Sequence, residues 1–128
     1  MQDDPAKLFS KGLDLMQKRQ FSESISVFQE VLRLDPQNAW ADEKIEEAER
    51  AICGDLYQAS VPGHKIPYFL VPEAALTRYN LTDQERFVAS RINGAWDIKS
   101  IVMLSPLREI EILQTLDKLV KIGIVGLK

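Results

Sequence analysis

Residues 8–36, LFSKGLDLMQKRQFSESISVFQEVLRLDP, decide how the rest of the chain is read. Leu8, Phe9, Gly12, Leu13, Leu15 and Met16 recur at helical spacing, while Lys7, Lys11, Asp14 and Lys18 fill the opposite face. Lys18, Arg19 and Gln20 form a polar, cationic end suited to a helix C-terminus, and Ser22 offers a hydroxyl cap for the next helix. In that second arm Ile25, Phe28, Val31, Leu32 and Leu34 lie on one side, with Glu23, Gln29, Glu30 and Arg33 on the other, until Asp35-Pro36 stops it. The expectation is a helical hairpin with one buried seam.

These residues resemble a tetratricopeptide repeat, whose period is about 34 residues. Gly12 stands where that family keeps a small residue for close helix approach, Phe21 and Phe28 fall on aromatic positions, and Leu34-Asp35-Pro36 matches the closing turn. The chain departs from the pattern at Leu8, Lys11, Ser24 and Val31. Residues 37–56 read as one long helix bearing Trp40, Ile45, Ala48, Ala51, Ile52 and Leu56, with Glu43, Glu46, Glu47, Glu49 and Arg50 in water. No second arm follows it, so this helix resembles the polar cap that ends a stack of repeats.

At 128 residues the chain is long enough for one domain or two small ones, with the apolar and charged fractions of an ordinary globular protein. It has no apolar run near the roughly 20 residues of a membrane span, and its first four residues lack the basic and apolar regions of a signal peptide. We expect a cytoplasmic protein without membrane attachment. Cys53 is the only cysteine, which rules out an internal disulfide, and its place beside Ile52 suggests a small buried hydrophobe. Residues 1–60 carry seven Lys or Arg against twelve Asp or Glu, a net charge of −5; residues 61–128 carry nine against seven, a net of +2. The acidic half can favour basic partners, although a solvated helix face explains the same composition.

Residues 60–72, SVPGHKIPYFLVP, change the texture: three prolines and a glycine surround a short apolar run. Each proline disfavours helix in itself and in its predecessor, which predicts an extended connector between residues 1–59 and 73–128. It is too apolar to hang in water, since Ile66, Tyr68, Phe69 and Val71 would each forfeit about 1.5 to 3 kcal/mol. His64, the only histidine, has no acid or nucleophile beside it and reads as a loop residue.

After a brief helical turn over 73–79, Thr82 and Glu85 announce a capping box, Phe87, Val88 and Ile92 continue its apolar stripe, and Asn93-Gly94 ends it. Asp97 caps a second helix with Ile98, Ile101, Val102 and Leu104. Ser105-Pro106 opens a third, carrying Leu107, Ile110, Leu113, Leu116, Leu119 and Val120, and a strand is expected from Ile124 to Leu127. Residues 81–125, with Gly94-Ala95-Trp96 as a corner anchored by the tryptophan, resemble a winged helix-turn-helix of the kind appended to bacterial signalling proteins. The fold class is therefore mainly α: a helical-repeat hairpin with capping helix, then a small three-helix winged-helix-like domain with short β-strands.

Enzymatic chemistry finds no inventory here: there is no glycine-rich phosphate loop, no metal-ligand cluster, and no nucleophile with a histidine and a carboxylate at a recognisable spacing. No cofactor is expected. The winged-helix resemblance invites a DNA-binding regulator whose repeat half binds an effector or dimerises, with Arg86, Arg91, Lys99 and Arg108 as its cations. Yet the helix that would enter the groove opens with one arginine and two glutamates, Arg108, Glu109 and Glu111, which suits phosphates poorly. The leading expectation is a non-catalytic adaptor in bacterial signalling or assembly. The repeat resemblance implies that Ala6, Phe9, Leu13, Met16 and Gln17 form its binding face, taking another protein, a peptide or a second copy of the chain.

Overall fold

A computed structural model describes residues 4–128. The protein is mainly helical, with one small antiparallel sheet, and it forms two compact units that divide at Gly54 and Asp55. Among the described residues, no helix is long and apolar enough to cross a membrane.

The first unit contains α1 (Pro5–Gln17), α2 (Phe21–Leu34) and most of α3 (Ala39–Ala59). Asp4 caps α1 by accepting the Ala6 N–H at 3.0 Å, and Pro5 occupies the first turn, where its missing N–H costs nothing. Leu8, Phe28, Val31 and Ala41 form the buried core. Gly12 is what lets α1 and α2 approach: a Cβ there would lie 2.6 Å from the Phe28 ring.

The turn between the arms differs from the expectation. Ser22 does not cap α2, which already begins at Phe21 after an N-cap, Gln20, that makes no side-chain bond. The reversal is made by the end of α1 instead: the Arg19 N–H donates to the Met16 carbonyl and the Gln20 N–H to the Leu15 carbonyl, with Arg19 left-handed at φ 59°. That is a Schellman closure with arginine in the position glycine usually takes. Trp40 is also corrected. It is 72% exposed, because Ala41 takes the interior position at the start of α3.

The second unit comprises the end of α3, β1 (Pro67–Phe69), a 3-10 helix (Glu73–Arg78), α4 (Asp83–Ser90), α5 (Ile98–Leu104), α6 (Glu109–Lys121) and β2 (Val125–Leu127). α6 is central, packing against α4, α5 and β2 and contributing Ile112, Leu113, Leu116 and Leu119 to a core that includes Val61, Val88, Ile98, Ile101, Ile124 and Val125. β1 and β2 pair with Tyr68 opposite Gly126. Ile66 and Lys128 exchange both backbone hydrogen bonds, so by alternation Pro67 faces Leu127 in a non-hydrogen-bonded pair. A proline there removes no ladder bond.

Residues 60–72 are therefore part of this unit rather than a connector. Val61 is fully buried, and the Gly63 and Lys65 carbonyls accept the Lys99 and Ile98 N–H groups at 3.0 Å each. The prolines exclude helix but leave every carbonyl able to accept, and the apolar run gains burial by folding in.

Helix α6 begins at Glu109, not at Pro106, because the Glu111 carboxylate accepts the Arg108 N–H at 3.1 Å and makes Arg108 the cap. Its interior stripe is shifted accordingly: Ile112 is fully buried while Leu107 and Ile110 are only half-buried. Trp96 is not a core anchor, being 37% exposed; Asn93 Oδ1 accepts the Ala95 and Trp96 N–H groups at 2.9 Å and shapes that corner without its ring. Leu104 is exposed as well, at the end of α5 beside Met103, which is 80% exposed.

Candidate interaction surfaces

The five residues of the expected binding face all lie on α1, and they divide by burial. Phe9 packs edge-on against Phe28, with ring centroids 5.3 Å apart and planes at 64°. Leu13 and Met16 also pack on the core of the first unit, and all three remain only partly buried. Ala6 and Gln17 are exposed. At positions 6, 9, 13, 16 and 17, helical geometry brings them onto one side of α1. Leu8 and Gly12, buried, occupy the side that meets α2. The result is an apolar stripe anchored from beneath and open at its edges.

The four cations of the DNA-binding alternative are scattered over α4, α5 and the cap of α6, and their neighbours differ. Arg86 Nη1 lies 3.6 Å from the Asp83 carboxylate. The Arg91 guanidinium stacks over the Phe87 ring at 4.8 Å, with its Nε buried and without a hydrogen-bond partner. Lys99 Nζ sits 4.4 Å above the Tyr57 ring and 4.0 Å from the Glu109 carboxylate, which accepts the Tyr57 hydroxyl at 2.7 Å. Arg108 donates its backbone N–H to Glu111. Cation–π stacking holds the charge of Arg91 and Lys99 against aromatic faces.

One polar pair escapes a reading along the chain. Glu85 accepts the Thr82 N–H at 2.8 Å, completing the capping box, and also takes the Lys118 ammonium at 2.6 Å although only 5% exposed. The Lys118 bond first, and the Thr82 backbone second, hold the Glu85 carboxyl below the usual carboxylate range. Beside it, Gln84 Nε2 donates to Thr115 Oγ1 at 3.2 Å. Both bonds join α4 to α6. Asp97 is likewise held low, by the Ser100 hydroxyl and backbone N–H that it caps.

His64 is exposed in the loop before β1, and Cys53 is buried. Comparison with protein families, with curated proteins and with solved structures returns no match.

Proposed function

We infer that the protein is a non-catalytic interaction module, an adaptor that docks another protein through the α1 face. The observation that carries this reading is the partial burial of Phe9, Leu13 and Met16, three large apolar side chains whose inner atoms pack on the unit's core while their outer surface stays in water. Covering them would recover part of the roughly 1.5 to 3 kcal/mol that each side chain offers on full burial. The tetratricopeptide resemblance supports the same surface, and the winged-helix resemblance suggests a cytoplasmic role in bacterial signalling or assembly. Exposed Met103 and Leu104 support protein contacts in the second unit too.

The stacking of Arg91 and Lys99 on aromatic rings and the acidic opening of α6 favour this reading over duplex binding. The test is a pair of substitutions at the exposed margins of the stripe, Ala6→Arg and Gln17→Arg, followed by light scattering and affinity capture. Loss of association, with a partner or with a second copy, at unchanged thermal stability is the expected result. Association indifferent to both changes would remove α1 as the docking face, and duplex binding lost on replacing Arg86, Arg91 and Lys99 by Ala would restore the regulator.

A further inference from the structure

A groove of about 570 Å³ lies wholly within the second unit, walled by the end of β1, the 3-10 helix and α4. Phe69, Leu76, Tyr79 and Ile92 give it an apolar lining, and two charges of opposite sign, Glu73 and Arg86, stand among them. Its size falls within the range of ordinary ligand sites.

Several observations give this groove a chemistry. Glu73 and Arg86 both line it but form no ion pair across it; among the described residues the one carboxylate near Arg86 is that of Asp83, at 3.6 Å, and it is fully exposed. An exposed pair of that length is weak, so the guanidinium keeps donors to offer. Beside the Tyr79 hydroxyl, the lining has two aliphatic hydroxyls already spent as donors, Thr77 to the Ala74 carbonyl at 3.0 Å and Ser90 to the Phe87 carbonyl at 2.5 Å. They can only accept. The 3-10 helix has no buried residue at all, so its apolar side chains Leu76 and Ala75 are half-covered where they stand. An occupant of the groove would add packing to this element.

We propose that this groove docks an apolar segment of a partner protein that carries a basic residue on the Glu73 side and an acidic residue on the Arg86 side. The charges decide the class. A simple hydrophobic molecule would leave both unmatched, an anionic one would meet Glu73, and a cationic one would meet Arg86. A segment with apolar side chains between unlike charges satisfies the lining, and its backbone N–H groups can donate to the Thr77 and Ser90 oxygens. This site does not depend on the α1 face, and variants of α1 serve as its control.

The experiment is selection on the full chain of displayed pentapeptides with three apolar central positions and all four pairings of Lys and Glu at the ends. The enriched sequences are then made as labelled peptides and their affinities measured by fluorescence anisotropy. Mixed-charge peptides should bind best. Glu73→Lys should weaken them by roughly two- to fivefold and improve binding of peptides with Glu at both ends, while Arg86→Glu does the reverse with Lys at both ends. Leu76→Asp, at a position without full burial, should abolish binding with the melting curve intact, and Ala6→Arg should leave binding unchanged. Affinities blind to the end charges, or unaffected by all three groove variants, would overturn the proposal. So would a change in solution mass caused by Glu73→Lys or Arg86→Glu, since the occupant would then be a second copy of this chain.

Discussion

Gly12 and Gly123 are both glycines that resist replacement, for opposite reasons. At Gly12 the backbone is helical and the obstacle is space: a Cβ would stand 2.6 Å from a Phe28 ring that is fully buried and braced by Phe9. Alanine would gain about 1 kcal/mol of helix propensity there, but overpacking a core typically costs about 1 to 3 kcal/mol. Gly12→Ala should therefore lower stability on denaturant titration in spite of its better propensity, and Gly12→Leu should lower it further. At Gly123 there is open space around the missing Cβ, and the obstacle is φ +82°. Its N–H donates to the Val120 carbonyl and the Ile124 N–H to the Leu119 carbonyl, a Schellman closure that turns α6 into β2. Gly123→Ala should cost about 1 kcal/mol, the penalty of a left-handed L-residue, read as a lower melting temperature.

At the scale of elements, the second unit depends on how α4 is tied to α6. The Glu85 carboxyl is held low by Lys118 and the Thr82 backbone, so it binds fewer protons in the folded chain than in the unfolded one. Its contribution is complete above the ordinary carboxylate range and is lost as pH falls through the lowered folded value. Lys118→Ala removes the largest cause of that shift. Thermal melts across pH should show the variant less stable at neutral pH, with a smaller acid-induced loss that is complete at a higher pH than in the wild type. An unchanged acid limb would mean that the Thr82 cap alone stabilises the carboxylate.

For the whole molecule, each unit has its own core, one around Phe28 and one around α6. Phe28→Ala should cost about 3 to 5 kcal/mol, a large loss for so small a core. Hydrogen exchange should then show α1 and α2 unprotected while the amides of Leu113, Leu116 and Leu119 stay slow. Loss of protection in both places would show one cooperative structure instead.

How much of this was legible beforehand depends on sequence distance. The two helical arms, the Thr82–Glu85 and Asp97 caps and the terminal strand are readable because each depends on residues a few positions apart, whereas the close approach of Gly12 to Phe28 followed only from the repeat resemblance. At the start of α6, proline at a first turn and the Glu111 carboxylate compete as signals, and the latter forms the bond. The apolar stripe of its helix points Trp40 inward and the winged-helix resemblance points Trp96 inward, yet Ala41 and the Asn93 turn set which way those backbones face.

The helical class, the hairpin and a few helix ends, the Pro36 stop of α2, the Thr82 and Asp97 caps and the Gly123 stop of α6, follow from the sequence alone, because helix periodicity and capping are local interactions. That 60–72 belongs to the second unit, that Glu85 meets Lys118, and that Glu73 and Arg86 line one groove emerges only from long-range packing. Such pairings join residues 13 to more than 60 positions apart, and nothing in the local chemistry of either partner names the other. Burial selects them, when the apolar stripes of α4, α5 and α6 close on one another and carry their polar neighbours along.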